Sequence, residues 1–187
     1  MRKLKLQVQM TVDGYIAGLN GEMDWMIFNW DNELKQYVKE ITEPVDCIVL
    51  GRKLAQGFIP HWASKPERED AWGVDKMNDT TKVVFTRTLD RSEWDNTVLA
   101  KGDLVDEITT LKKQDGKDII AYGGATFVSA LIKQGLIDEL HLFINPTAIG
   151  NGMTIFKELD SKQNLTLVKS TSFDCGIVVL NYEPKRD

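Results

Sequence analysis

Three short segments of the sequence combine glycine, arginine and threonine in a way that suits the binding of phosphate. They are Gly51-Arg52, Thr86-Arg87-Thr88 and Gly123-Gly124-Ala125-Thr126. Each follows or ends a short apolar run, which is typical of a strand buried on both faces of a parallel sheet. An arginine side chain donates two parallel hydrogen bonds to a phosphate, and glycines before a helix let backbone N–H groups approach an anion.

These segments are expected to meet, because the carboxyl ends of parallel strands lie at one edge of an open sheet, where ligands bind. The sequence therefore predicts a phosphate-bearing ligand at that edge, and a dinucleotide is the natural example. Taken alone, the Gly123-Gly124 pair is equally consistent with a tight turn between a strand and a helix. A Rossmann-type site is not expected, because residues 150–155 lack the third glycine of that motif.

Other chemistries have little support in the sequence. The only two histidines, His61 and His141, lie far apart, so no metal site is expected, and His141 is expected to be a packed or edge residue of a strand. No Gly-x-Ser-x-Gly motif marks a nucleophile. Cys47 and Cys175 lack CxxC spacing and are expected to be buried thiols in a reducing compartment.

Length, charge and hydropathy patterning narrow the class of protein. The chain has 187 residues, which predicts one domain over 1–187, and its formal net charge of −5 argues against nucleic acid as a partner. Residues 4–10 alternate between apolar and polar, which predicts a strand and not a signal peptide. No apolar run approaches the roughly 18 residues of a membrane span, so no membrane partner is expected and the cytoplasm is the expected location.

The periodicity of apolar residues predicts the elements that position these segments. Residues 59–79, with two prolines and two tryptophans, show no clear period and are predicted to form a long irregular loop at the rim of a site. The order of elements predicts an α/β fold with a mostly parallel sheet and an antiparallel C-terminal edge. Strands are predicted at 4–10, 47–50, 82–86, 97–99, 119–122, 140–144, 165–170 and 177–182, and helices at 31–41, after residue 53, and at 104–113 and 125–134.

A set of motifs, in a fixed order along nearly the whole chain, resembles one family. The chain resembles the dihydrofolate reductase-like superfamily, and within it the reductase that forms the C-terminal domain of the bifunctional riboflavin-biosynthesis deaminase-reductase, with its stand-alone relatives. The resemblance implies a three-layer fold with helices on both faces of the sheet. The motifs are Thr11-Val12-Asp13-Gly14-Tyr15-Ile16-Ala17, Val49-Leu50-Gly51-Arg52, Val84-Phe85-Thr86-Arg87-Thr88, Tyr122-Gly123-Gly124, and Leu136-Ile137-Asp138-Glu139-Leu140 followed by Pro146 and Ile149-Gly150-Asn151-Gly152.

The resemblance also implies NADPH as cofactor and assigns residues to it. Leu54 departs from the pattern, because dihydrofolate reductases usually have a phosphate-binding threonine there. By position, Gln9 and Ala17 would face the nicotinamide, and Asn20 and Gly21 would belong to a mobile loop. The cofactor phosphates would be reached by Gly51, Arg52 and Lys53, and the 2′-phosphate by Thr86, Arg87 and Thr88. The pyrophosphate would bind at Gly123, Gly124, Ala125 and Thr126.

The substrate side is less defined by the sequence. In dihydrofolate reductases a carboxylate on the first helix contacts the pterin. Asp31 and Glu33 are the corresponding candidates here for the acid that donates the proton. Asp31 is equally suited to be a helix N-cap. Four aromatic residues are candidates for the wall of a site for a planar heterocycle, although aromatics more often belong to the core. They are Trp25, Phe28, Trp30 and Trp62.

Three functions follow from the resemblance. The first is an NADPH-dependent reductase of a small pyrimidine- or pterin-like heterocycle, most like 5-amino-6-(5-phosphoribosylamino)uracil. The alternatives are a dihydrofolate or pterin reductase proper, and a nucleotide-binding relative without turnover. A homodimer is also expected, because the resemblance includes C-terminal strands used for pairing and two-fold dimers are the commonest oligomers.

Overall fold

The computed structural model describes residues 1–185, so the last two positions of the predicted 1–187 domain lie outside the described residues. Within residues 1–185 the chain forms eight strands and five helices. In chain order they are β1 (Leu4–Thr11), α1 (Asn32–Thr42), β2 (Val45–Gly51), α2 (Arg52–Ala63), α3 (Ala71–Asp79), β3 (Thr81–Phe85), β4 (Thr97–Ala100), α4 (Leu104–Lys113), β5 (Asp118–Tyr122), α5 (Ala125–Lys133), β6 (Glu139–Asn145), β7 (Leu165–Ser172) and β8 (Val178–Pro184).

All eight strands join one sheet in the order β4-β3-β2-β5-β1-β6-β8-β7. The six strands from β4 to β6 run parallel to their neighbours, whereas β8 is antiparallel to both β6 and β7. This confirms the predicted mostly parallel sheet with an antiparallel C-terminal edge. No helix within residues 1–185 is long and apolar enough to cross a membrane.

Helices cover both faces of the sheet, so the predicted three-layer arrangement is confirmed. On one face, α4 and α5 pack against the apolar residues of β1, among them Leu4, Leu6 and Val8. Successive side chains of a strand point to opposite faces. The polar residues Lys5, Gln7 and Gln9 of β1 therefore face the other side, where α1, α2 and α3 lie.

That second face holds two separate apolar clusters. The first, here called the α1 cluster, packs α1 over β6 and β8 and includes Tyr37 and Phe143. The second, the α2–α3 cluster, packs those two helices over β2, β3 and β5 and includes Ile59. Because β1 lies between β5 and β6, its polar face lies beneath the junction of the two clusters. We call this junction, floored by Gln7 and Gln9, the β1 seam.

The predicted irregular loop over residues 59–79 is wrong. Helix α2 continues to Ala63, and α3 begins at Ala71, so only residues 64–70 are irregular. Pro60 lies inside α2 and obscures the pattern, because proline usually ends a helix. Asp70 starts α3 by accepting a hydrogen bond from the Gly73 N–H at 2.9 Å.

Candidate cofactor and substrate site

The three phosphate-type segments lie side by side at the carboxyl edge of the sheet. Strands β3, β2 and β5 are consecutive neighbours, and Gly51 pairs with Phe85, the residue before Thr86. Val49 pairs with Ala121, so Gly51 and Gly123, each two residues further on, end adjacent strands. Neighbouring strands lie about 4.8 Å apart, which brings the segments within the span of one dinucleotide.

The glycines at this edge are required by the backbone. Gly123 and Gly124 have φ angles of +33° and +81°, in the left-handed region where residues with a Cβ are strained. At Gly51, an added Cβ would lie 2.8 Å from the Cβ of Phe127, so β2 and α5 approach closely only because this residue is glycine. The tight turn and the open backbone surface therefore occur together at Gly123-Gly124.

Two helices begin at this edge without a side-chain cap. Helix α2 starts after Gly51 and α5 after Gly124, and neither N-cap residue makes a side-chain hydrogen bond. The other three helices within residues 1–185 all start at an aspartate that accepts backbone N–H groups. Free N–H groups and the positive end of the helix dipole attract anions, so α2 and α5 offer their first turns to a ligand. The aspartate caps are Asp31, Asp70 and Asp103.

Cationic side chains stand beside these helix starts. Arg87 and Lys53 are exposed, and Arg52 reaches only Gln56, through a hydrogen bond of 3.2 Å. Within residues 1–185 none of these three cations forms an ion pair. An arginine without a carboxylate partner keeps its full hydrogen-bonding capacity for a phosphate.

Thr86 fixes the turn that carries Arg87. Its hydroxyl oxygen accepts hydrogen bonds from the N–H groups of Thr88, at 3.2 Å, and Leu89, at 3.1 Å. The hydroxyl hydrogen is still available to a ligand, because a threonine can donate and accept at once. Thr88 itself is exposed beside Arg87.

Leu54 lies over the glycine turn, where the resemblance places a threonine. Its Cβ and Cδ2 atoms are 3.7 and 3.9 Å from where a Cβ of Gly124 and of Gly123 would stand. An apolar side chain at this point donates no hydrogen bond to a phosphate. The backbone of the turn and the first residues of α5 therefore carry the polar recognition at this position.

The residues predicted to face the nicotinamide lie at the end of β1 and just beyond it. The Gln9 Oε1 atom accepts a hydrogen bond of 2.8 Å from Asn145 on β6. Ala17 is buried, and its carbonyl accepts a hydrogen bond of 2.8 Å from the Met153 N–H. Both residues are held in place by neighbouring segments, which suits a rigid wall of a site.

Asn20 and Gly21 occupy an exposed turn closed by Glu22. The Glu22 carboxylate accepts hydrogen bonds from the backbone N–H and the side chain of Asn20, at 3.0 and 2.8 Å. These bonds lower the pKa of Glu22, so the turn is held by an ionised carboxylate at neutral pH. The φ angle of +91° at Gly21 requires a glycine there.

Asp31 is the N-cap of α1. One carboxylate oxygen accepts the Leu34 N–H at 2.8 Å, and the other accepts the Cys175 N–H at 3.0 Å. These backbone hydrogen bonds lower the pKa of Asp31, whereas a proton donor near neutral pH needs a raised value. The structure therefore favours the N-cap alternative over a role as acid.

Glu33 lies apart from the phosphate-type segments. Its exposed side chain lines a groove between α1 and β7, together with Lys169 and Thr171. Strand β7 is the last strand of the sheet, separated from β5 by β1, β6 and β8. The role of Glu33 as the acid that serves the substrate stays a prediction.

Three of the four candidate aromatic residues belong to packed regions. Trp25 is buried, Trp30 stacks on Phe143 at 6.3 Å in the α1 cluster, and Trp62 packs in the α2–α3 cluster. Phe28 alone is exposed, and the Arg68 guanidinium lies 5.0 Å from its ring. The role of Trp25, Trp30 and Trp62 as walls of a substrate site stays a prediction.

On the polar face of β1, the resemblance pointed to Gln9 but not to Gln7. Strand alternation normally indicates one face in water, but β1 is central and covered on both faces. Gln7 is 8% exposed, and its Oε1 atom has no hydrogen-bond partner within residues 1–185. The alternation of apolar and polar residues over 4–10 is visible in the sequence. It indicates buried polar side chains only once β1 is known to lie in the centre of the sheet.

His141 is a packed residue, as predicted. Its Nδ1 atom lies 2.8 Å from the Tyr37 hydroxyl, and its Nε2 atom lies 3.4 Å from the carboxylate of Glu139. The hydrogen bond with His141 and the ion pair with Lys3 lower the pKa of Glu139 to about 2. Burial raises the pKa of Tyr37 to about 12.

Asp13, in the motif at residues 11–17, makes hydrogen bonds with the motif at residues 149–152. Its carboxylate accepts hydrogen bonds from the N–H groups of Ile149, at 3.1 Å, and Gly150, at 2.7 Å. The bonds made to this carboxylate, foremost that from the Thr11 side chain, lower the pKa of Asp13. These motif residues therefore shape the end of β1.

The protein has the dihydrofolate reductase-like fold. Its structure resembles that of dihydrofolate reductase from Enterococcus faecalis complexed with NADP(H), with a TM-score of 0.66 and 19% identity over 98% of this chain and 97% of that one. The family model of the RibD C-terminal domain matches residues 2–179. The chain therefore belongs to the RibD C-terminal domain family.

Two further relatives bear on this assignment. The chain is 34% identical over 185 residues to the uncharacterized protein YyaP of Bacillus subtilis (strain 168), a match that covers 97% of this chain and 94% of that protein. The fold is also shared with a diaminohydroxyphosphoribosylaminopyrimidine deaminase/5-amino-6-(5-phosphoribosylamino)uracil reductase from Thermotoga maritima, with a TM-score of 0.72 and 18% identity. That match covers 98% of this chain and 57% of the Thermotoga protein.

Proposed function

We propose that the protein is an NADPH-dependent reductase of a small pyrimidine- or pterin-like heterocycle. The observation that carries this proposal is the meeting of three phosphate-type segments at one sheet edge, where two helices begin without a cap. A dinucleotide needs several anion contacts along one line, and this edge supplies them with backbone N–H groups and three unpaired cations. Membership of the RibD C-terminal domain family supports a reductase.

The residues present fit the cofactor. Gly123 and Gly124 leave the backbone open at the start of α5, where the pyrophosphate would bind, together with Arg52 and Lys53 at the start of α2. Arg87, beside Thr86 and Thr88, would hold the 2′-phosphate that distinguishes NADPH from NADH. When bound, the nicotinamide supplies the hydride, and the protein contributes orientation and electrostatics.

The substrate is proposed to lie in the β1 seam, between α1 and α2. The relative from Thermotoga maritima is named as a 5-amino-6-(5-phosphoribosylamino)uracil reductase, and this compound is the first substrate to test. One Asp31 carboxylate oxygen caps α1 and the other accepts the Cys175 N–H, which makes Asp31 a weaker acid candidate than a bound water molecule. A folate reductase is the less favoured alternative, because its pterin would need a carboxylate on the first helix and that of Asp31 is already occupied by backbone N–H groups.

The test is calorimetric titration with NADPH and NADH, followed by assays of NADPH oxidation. We expect NADPH to bind more tightly than NADH, and the pyrimidine substrate, not dihydrofolate, to be reduced. Failure of the folded protein to bind NADPH at millimolar concentration would refute the proposal. Binding without oxidation by either substrate would favour a nucleotide-binding relative without turnover.

The proposal extends to assembly and location. Strand β7 is the exposed edge of the sheet and carries Leu167 and Val168, which are 51% and 54% exposed. An edge strand with exposed apolar side chains is a surface that can pair with a second copy. We expect a homodimer by light scattering, whereas the monomer mass of 21.2 kDa would contradict this. The free thiols of Cys47 and Cys175 suit the reducing cytoplasm.

A further inference from the structure

Three buried polar atoms without hydrogen bonds meet at the β1 seam. They are Gln7 Oε1 on β1, the Tyr122 hydroxyl on β5, and Thr42 Oγ1 at the end of α1. Gln7 and Tyr122 are direct partners in the parallel pairing of β1 with β5. Thr42 lies close enough to the Tyr122 hydroxyl to lower its pKa, which burial raises, but the two hydroxyls make no hydrogen bond of normal geometry.

The other polar residues of this face already have partners. Lys5 forms an ion pair with Asp118 at 2.9 Å, and Gln9 accepts a hydrogen bond from Asn145. Gln7, between them on β1, is left with an unpaired acceptor although it is 8% exposed. Buried polar atoms without partners are rare in native proteins, so three at one place point to a group that pairs with them.

The chemistry of the three atoms defines that group. A glutamine carbonyl oxygen only accepts hydrogen bonds, whereas the two hydroxyls donate or accept. The complementary group must therefore donate to Gln7, and the three side chains contribute no charge that would stabilise an ion. A neutral amino or hydroxyl substituent of a heterocycle has this chemistry.

Two cation–aromatic contacts join the α1 side of the seam to the α2–α3 side. Arg68 lies 5.0 Å from the ring of Phe28, and Lys39 lies 5.3 Å from the ring of Trp72. Both contacts are made by side chains.

We infer that Gln7, Tyr122 and Thr42 form a recess that selects the substrate by accepting a hydrogen bond from its amino or hydroxyl substituent. That the ligand of this recess is the substrate of a reductase rests on the proposed function. The existence of the recess rests on the three unpartnered atoms. The recess lies at the carboxyl end of β5, where Tyr122 precedes Gly123. It therefore adjoins the edge that is proposed to hold the cofactor.

The first arm of the experiment measures stability. Gln7→Leu replaces an unpaired polar group by an apolar one of similar size, so the melting temperature is expected to rise by roughly 2–4 °C. Asn181→Leu is the matched control, because Asn181 Oδ1 is also buried and unpartnered, on β8 beneath the α1 cluster. A lower melting temperature for Gln7→Leu would mean that Gln7 is structural and would overturn the inference.

The second arm measures binding, with and without NADP⁺, by calorimetric titration. The probes are 5,6-diaminouracil, which carries amino donors, and uracil, which lacks them. We expect wild-type protein and Asn181→Leu to prefer the diamino probe by about 10-fold or more, and Gln7→Leu and Tyr122→Phe to lose this preference. The inference is overturned if Gln7→Leu keeps the preference, or if the wild-type protein shows none.

The two proposals can fail separately in this experiment. If NADPH binds and the probe preference is absent, the recess is wrong and the reductase proposal stands. If the probe preference is present and depends on Gln7 while NADPH does not bind, the recess is supported and the reductase proposal fails.

Discussion

Replacement of Gly51 by alanine tests the link between the fold and the candidate cofactor edge. The added Cβ would lie 2.8 Å from the Cβ of Phe127 and 3.2 Å from its Cγ. Carbon atoms in contact normally stand about 3.5–4.0 Å apart, so β2 and α5 would have to separate by about 1 Å. Rotation of the Phe127 side chain cannot relieve the contact, because a Cβ does not move with χ1.

Overpacking of this kind costs about 1–3 kcal/mol of the free energy of unfolding. For a chain of this size, each kcal/mol changes the melting temperature by about 2–4 °C, so Gly51→Ala is expected to melt roughly 2–12 °C below wild type. NADPH affinity should also fall, because the separation moves the first turn of α5. Thermal unfolding and calorimetric titration measure the two effects.

Gly57→Ala is the matched control. Gly57 lies inside α2, and an added Cβ there would meet no atom within 4 Å. Alanine is the better helix former by about 0.8–1.0 kcal/mol, so this variant should melt at or above the wild-type temperature. If Gly51→Ala is as stable as Gly57→Ala and binds NADPH normally, the close approach of β2 and α5 is not a constraint and the reasoning is refuted.

Three further predictions concern single side chains. Arg87→Ala should weaken NADPH binding by roughly 10–150-fold, because a charge-assisted hydrogen bond contributes about 1.5–3 kcal/mol, and should leave NADH binding nearly unchanged. The exposed Arg91→Ala is the control. Equal weakening of NADPH and NADH binding would exclude a contact between Arg87 and the 2′-phosphate. Asp31→Asn should keep both the helix cap and the rate of NADPH oxidation with an identified substrate, and a slower rate at unchanged NADPH affinity would restore Asp31 as the acid. The pKa of Glu139 is lowered from 4.5 to about 2. Its contribution to the free energy of unfolding, about 3 kcal/mol, should therefore be present above pH 4.5 and lost as the pH falls toward 2. Urea unfolding of Glu139→Gln should lack this acid dependence, whereas exposed Glu67→Gln should keep it.

The elements and the phosphate-type segments could be predicted from local pattern because each depends on short-range chemistry. Apolar runs ending before Gly51 and Gly123 predicted β2 and β5 to within two residues. The glycine at 123 follows from its positive φ angle, whereas that at 51 follows from the close approach of Phe127 on α5. A helix was predicted after residue 53, but the end of α2 and all of α3 were not, because Pro60 and Pro66 interrupt the apolar period over residues 59–79.

The substrate side could not be predicted, because it depends on which strands become neighbours. The polar face of β1 is unusual only in the centre of the sheet, and the pairing of Gln7 with Tyr122 joins residues more than a hundred positions apart. Asp31 and Glu33 are two positions apart in the sequence, yet the first turn of α1 directs one to a cap and the other to the groove beside β7.

The uncapped starts of α2 and α5 have a consequence for mutagenesis. Recognition by main-chain N–H groups persists whatever side chain is attached. Truncation of Thr126 should therefore have little effect on the part of anion binding that these N–H groups provide. Anion binding by these N–H groups should be weakened only by substitutions that move the backbone, such as those at Gly51, Gly123 or Gly124. The most important contacts of such an edge would therefore be invisible to alanine scanning and would tolerate wide sequence drift among relatives, provided that the glycines remain.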